Sequence, residues 1–261
     1  MNALRALGNA ALDLLAPPSC PACNAGLFSG HAGAPPFCDA CELAIAPRDP
    51  AGCAGCDREA DGGGLCRSCR RRLSPLSGVE ATFEYEGPIA EAIQALKYQG
   101  RDDRLRPIAR RWLAEWKPLP CSAAAGNGNS SGGTQGEGRE GGDLSRHLIV
   151  PVPLHPRRLA ARGFDQAWLL AREVAKALGA TAHARAVRRI RATPPQVGLG
   201  RAAREANVRG AFVAYETVAR SNVLLVDDVL TTGATLRACA EALMLAGARS
   251  VRAVVVARAQ P

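Results

Sequence analysis

Residues 223–236 read VLLVDDVLTTGATL, and few folds accommodate such a stretch. Four aliphatic residues run without a polar break into Asp227 and Asp228. An uninterrupted aliphatic run suits a strand covered on both faces, which is the usual state of strands in a parallel sheet. Thr231, Thr232, Gly233, Ala234 and Thr235 follow as a turn of small residues, and ATLRACAEALMLAG then has helical spacing. Strand, turn and helix in this order deliver the turn to the carboxyl edge of the sheet, where open α/β folds bind ligands. Small residues let backbone N–H groups approach an anion, and a helix N-terminus adds partial positive charge. The turn is not a Walker A loop, because the GK[ST] ending is missing. Two carboxylates would repel a phosphate set against them, but they can accept hydrogen bonds from vicinal sugar hydroxyls or face a cation. A phosphorylated ribose satisfies the turn and the carboxylates together.

The rest of the chain supports an α/β reading. VEATFEYE at 79–86 alternates like a strand, and Pro88 opens the helical IAEAIQALKY, since proline suits the first helical turn. HLIVPVPL, AFVAY and VRAVVVARA read as further strands, and WLLAREVAKAL reads as a helix. Strands alternating with helices predict a mostly parallel sheet flanked by helices. CSAAAGNGNSSGGTQGEGREGGD at 121–143 is rich in Gly and Ser and lacks large apolar residues. Such a composition cannot bury enough surface to fold, so 122–146 is expected to be a flexible insertion in a surface loop.

Eight of the ten cysteines lie before residue 75, in four CxxC pairs: Cys20/Cys23, Cys38/Cys41, Cys53/Cys56 and Cys66/Cys69. Two residues between cysteines let both thiolates face one ion, and two such knuckles complete a tetrahedral Cys₄ site, for which Zn²⁺ is the usual metal. The simplest assignment joins neighbouring pairs into two structural zinc sites. A cross-braced pairing has the same spacing, and His31 between the first knuckles reads as a solvated loop residue. The expected organisation is a Cys-rich module at 1–75, opened by a short helix, and an α/β domain at 79–261. The opening apolar stretch is interrupted by Asn9 and Asp13 and reads as an amphipathic helix rather than an export signal. Paired CxxC then favours metal over disulfides and points to the cytoplasm. No run of about 18 apolar residues suggests a membrane span. The formal net charge of +9 fits a polyanionic ligand or partner. Arginine spread along the whole chain accounts for that charge equally well.

The stretch from Val223 to Thr235 resembles the thirteen-residue motif of type I phosphoribosyltransferases that binds phosphoribosyl pyrophosphate (PRPP). The four knuckles, PVPLHPRRLAARGFDQA at 151–167 and TPPQVGLGRAAREANVRGAF at 193–212 extend the likeness over nearly the whole chain. Together they resemble the ComF family, named for bacterial competence proteins. The resemblance implies a type I phosphoribosyltransferase-like fold preceded by a double zinc ribbon. It implies that Asp227 and Asp228 meet the ribose hydroxyls, that Thr231–Thr235 hold the 5′-phosphate, and that Arg157, Arg158 and Arg162 lie near a pyrophosphate accompanied by Mg²⁺. Gln196, Arg201, Arg204 and Asn207 match a segment that would cover the site or select an acceptor. Asp165 stands where the family usually has Asn.

The activity implied is pentosyl transfer at C1 of PRPP to a nitrogen or to water. Lys97, at a helix end, is a further candidate for phosphate, though such a lysine is more often solvated. Two alternatives remain: a non-catalytic protein handling single-stranded DNA during DNA uptake, and a PRPP sensor. Arg70, Arg71 and Arg72 after the last knuckle suit either nucleic acid or solvent.

Overall fold

The computed structural model describes residues 18–27, 35–48, 53, 65–73, 75–98, 100–117, 144–193 and 201–259. The expected N-terminal helix, His31, Cys56, Gln196 and positions 122–143 of the expected insertion lie outside the described residues. The last three residues of that insertion, Leu144–Arg146, form a 3₁₀ turn with Leu144 buried.

In chain order the elements are α1 (Asp39–Ala44), α2 (Arg67–Leu73), β1 (Gly78–Glu84), α3 (Gly87–Tyr98), α4 (Leu105–Glu115) and β2 (Leu148–Pro151), followed by α5 (Pro156–Arg162), α6 (Gln166–Leu178), β3 (Val187–Arg189) and α7 (Arg201–Val208), and then β4 (Phe212–Ala214), β5 (Asn222–Leu230), α8 (Ala234–Leu245) and β6 (Ser250–Arg258). Four strands form one sheet in the order β1-β6-β5-β2. Every neighbouring pair in it is parallel, so all four carboxyl ends lie on one edge. The predicted strand AFVAY is present as β4 but stands apart from this sheet. It pairs antiparallel with β3 in a two-stranded ribbon.

β5 is flanked by β2 and β6, and its aliphatic run is buried on both faces. Alternation sends Val223 and Leu225 to one face, where they pack with Val251, Ala253, Val255 and the α8 residues Leu236, Ala240 and Leu243. Leu224 and Val226 go to the other face, with Ile89 and Ile93 of α3, Ile108 and Trp112 of α4, and Leu170 and Val174 of α6. Cysteines enter both layers. Cys53 and Cys69 belong to the first cluster, Cys20 and Cys41 to the second. Polar links reinforce this seating: Arg104 donates to the Pro21 carbonyl and the Asn24 side chain, and Arg111 pairs with Glu42. On the other side Arg237 Nη1 of α8 donates to the Arg72 carbonyl at 2.6 Å.

Candidate functional site

The carboxyl edge of the sheet opens into a cleft of about 320 Å³. Its lining includes Asp227 and Asp228 from the end of β5, Thr231, Gly233, Ala234 and Thr235 from the following turn, and Arg158 and Arg162 from α5. Lys97, Tyr98, Tyr85 and Arg189 complete the polar wall. Eight of the ten residues expected around a phosphorylated ribose thus converge on one cavity, and Thr232 and Arg157 are not among its lining residues.

The turn is built as its residues dictate. Gly233 is the N-cap of α8 and has a φ of 72°, a left-handed conformation that glycine adopts without a Cβ clash. The Thr232 hydroxyl accepts from the Ala234 amide at 3.4 Å and closes the loop. Ala234 and Thr235 already belong to the first turn of α8, so the helix N-terminus itself faces the cleft. Partial positive charge at that terminus favours an anion there.

The acidic pair is asymmetric. Asp228 is buried, and its Oδ1 accepts from Lys97 Nζ at 2.8 Å. Asp227 is half-buried, and its Oδ1 accepts from the Asp228 amide at 2.9 Å. Packing around Asp227 and the neighbouring Asp228 push its pKa up to about 8, with Lys97 and the Asp228 amide working in the opposite direction. Burial alone would lower the Lys97 pKa, but Asp228, with Asp227 and Tyr85 behind it, raises it above its ordinary value. The expectation of a solvated Lys97 is therefore corrected: it is an ion-pair partner inside the cleft.

The three arginines of the α5 segment separate. Helix α5 starts at Pro156, directly after its N-cap His155, whose Nδ1 accepts from the Arg157 amide at 3.2 Å. Arg158 and Arg162, four residues apart, share the face that lines the cleft, as helical periodicity requires. Arg157 is exposed and is not among the lining residues. Arg158 donates to the Thr193 carbonyl at 3.0 Å, and Arg162 donates to Gln166 Oε1 at 2.5 Å. Arg189, which nothing local in the sequence marks, is buried with its guanidinium 5.4 Å from the centre of the Phe212 ring.

Asp165 has a local task. Its side chain caps α6 by accepting from the Trp168 amide at 3.1 Å. Asn caps helices about as well as Asp. The departure at this position therefore leaves the cap intact. On α7, the side chains of Arg201 and Arg204 lie outside the described residues, and the Asn207 carbonyl accepts from Arg191 at 3.1 Å. A 3.1 Å ion pair between Glu205 and Arg237 ties α7 to α8. No described residue of α7 lines the cleft.

Away from the cleft, the Sγ atoms of Cys20, Cys23, Cys38 and Cys41 lie within 4.8 Å of one another, and so do those of Cys53, Cys66 and Cys69. Neighbouring knuckles come together, as in the simplest assignment from spacing, and Cys56 falls outside the described residues. Zn–S bonds of about 2.3 Å place tetrahedral sulfurs roughly 3.8 Å apart. The 3.6 Å between Cys23 Sγ and Cys38 Sγ fits that spacing. Backbone amides of Cys38, Cys23 and Ala22 outweigh burial at Cys20 and bring its thiol pKa down to about 7, which favours the thiolate that a metal takes. Among the described residues no helix is long and apolar enough to cross a membrane.

Residues 165–260 match the phosphoribosyl transferase domain family, so the parallel sheet and its strand–turn–helix site define a protein with a domain of that class. Over 240 residues, 92% of this chain and 96% of the relative, the sequence is 30% identical to the DNA utilization protein YhgH of Salmonella typhimurium strain LT2. The protein of the same name from Escherichia coli strain K12 matches to the same extent. Competence protein F of Haemophilus influenzae is 35% identical over 114 residues, 42% of this chain and 50% of that protein. The chain belongs to the family of these proteins, the ComF family.

The raised pKa of Asp227 has a measurable consequence. The folded chain keeps a proton on this carboxyl up to about pH 8, whereas the unfolded chain releases it near pH 4. Stability therefore falls as pH rises through that window. Asp227→Asn removes this term and is expected to stabilise the protein at pH 8 by on the order of a few kcal/mol. Thermal melts of both proteins between pH 5 and 9 check this, and parallel curves would count against the assignment.

Proposed function

We propose that the cleft binds PRPP and that the protein is a phosphoribosyltransferase-like enzyme acting at C1 of that sugar, tied to the handling of incoming DNA. The carrying observation is convergence: one cavity unites the turn at a helix N-terminus, two carboxylates and four cationic side chains, Lys97, Arg158, Arg162 and Arg189. In this reading Thr231–Thr235 take the 5′-phosphate, Asp227 and Asp228 take the ribose hydroxyls, and Arg158 and Arg162 face the pyrophosphate. A guanidinium fork can bind two phosphate oxygens at once. Arg157 would serve only as an exposed charge at the rim. Mg²⁺ would accompany the pyrophosphate and offset its charge. The C1–oxygen bond to pyrophosphate breaks as positive charge builds on the ring, and an acceptor nitrogen or water forms the new bond. Asp228, ion-paired with Lys97, stabilises that charge, and Asp227 adds to it once its proton is lost, so catalysis rests on positioning and electrostatics.

The link to DNA is supported by the relatives' names and by the charge of +9. Arg67, Arg70 and Arg71 are exposed on α2, beside the second cysteine cluster, and fit a nucleic-acid backbone. Single-stranded DNA or the uptake machinery is the macromolecular partner in this account, and the cytoplasm is the compartment that suits reduced CxxC knuckles. Isothermal titration with PRPP and Mg²⁺ is expected to give binding that falls at least tenfold in Asp227→Asn/Asp228→Asn. Absence of binding by the unaltered protein, with salt-sensitive binding of single-stranded DNA, would favour the non-catalytic reading instead.

We assign zinc to both cysteine clusters, Cys20, Cys23, Cys38 and Cys41 in one and Cys53, Cys56, Cys66 and Cys69 in the other. Four thiolates leave no open position, so both sites are structural. Elemental analysis should give about two zinc ions per chain, and Cys41→Ser should leave about one and destabilise the fold by several kcal/mol. Iron with visible charge-transfer absorbance would contradict the assignment.

A further inference from the structure

The Lys97–Asp228 pair is buried inside the cleft, whereas the comparably buried Arg252–Glu80 pair does not line it. Side-chain exposure is 17% for Lys97 and 6% for Asp228, yet both line the cleft. Removing two charges from water is expensive, and well-packed apolar residues often serve a fold equally well. A buried pair at a ligand site therefore points to use by the ligand. Only one oxygen of the carboxylate is engaged: Oδ1 receives Lys97 Nζ at 2.8 Å. Oδ2 is shielded from solvent and has no hydrogen-bond partner among the described residues. A buried acceptor without a donor is costly, and such groups in native proteins call for an explanation. The direction of approach adds to this. Lys97 sits at the end of α3, whose Ile89, Ile93 and Leu96 pack on the Leu224–Val226 face of β5. Asp228 continues the alternation of that face, so the lysine reaches it from the α3 layer, away from the α8 turn on the other side.

We propose that Lys97 is a positioning residue: by pairing with Asp228 Oδ1 it holds Oδ2 as an acceptor for a ribose hydroxyl, which makes the cleft select ribose 5-phosphate compounds over their 2-deoxy counterparts. This rests on the PRPP reading and adds a residue and a selectivity to it. A site built to pair with a hydroxyl rejects an analogue lacking it, because its own polar group is left unmatched. Lys97 acts through Asp228 and makes no phosphate contact of its own.

The test is titration with ribose 5-phosphate, 2-deoxyribose 5-phosphate and inorganic phosphate, which isolates the sugar from the pyrophosphate. The proteins are wild type, Lys97→Met, Asp228→Asn and the double variant, in which no charge is left stranded. Wild type should prefer ribose 5-phosphate by about tenfold or more. The preference should vanish in all three variants, and inorganic phosphate should bind wild type and the charge-neutral double variant alike. Unchanged sugar preference in Lys97→Met, or weaker phosphate binding by the double than by wild type, would overturn the proposal. If Lys97→Met does not fold, the comparison of the double with wild type decides alone. Failure of wild type to bind either ribose 5-phosphate or PRPP would instead remove the PRPP reading, and this inference with it.

Discussion

The hydrogen bonding of β5 on both sides sets the position of everything that matters in the cleft. A strand paired with β2 and β6, and packed on both faces, cannot slide by one residue without turning its aliphatic set inside out. Asp227 and Asp228 are therefore held in register at the carboxyl edge, one on each face of the strand. The turn after them is fixed in the same way, because Gly233 must leave the strand in a left-handed conformation to start α8. The desolvation of Asp227 and the deep ion pair of Asp228 are costs that the two core layers sustain. Perturbed titratable groups of this kind cluster at functional sites.

The cysteine clusters belong to this same framework. Each contributes residues to one of the two layers that sandwich β5. Arg104 and Arg111 fasten the first cysteine segment to the helical layer through Pro21, Asn24 and Glu42. Arg237 fastens the second to α8, whose N-terminus faces the cleft, and the same guanidinium reaches Glu205 of α7. A metal bound at the knuckles would thus also brace the helix whose N-terminus faces the cleft.

Features carried by local patterns could be read from the sequence. The aliphatic run, the acids and the small-residue turn are contiguous, and CxxC pairs declare themselves by spacing alone. Features that depend on a helical face or on distant packing could not. PVPLHPRR reads as one basic cluster, but only a helix beginning at Pro156 separates Arg158 and Arg162 from Arg157. Lys97 lies 131 positions from Asp228, and neither residue announces the other. Arg189 enters the cleft because β3 pairs with β4 outside the main sheet, a placement that AFVAY as a strand pattern does not specify. Asp165 shows the converse: a residue that reads as a departure in a binding motif proves to cap α6.

The most direct measurement is a crystal structure of the zinc-loaded protein soaked with ribose 5-phosphate. Density is expected in the cleft with the phosphate against the amides of Thr231–Thr235 and the sugar hydroxyls against Asp227 and Asp228. Density with the phosphate on Arg67, Arg70 or Arg71 and an empty cleft would contradict it.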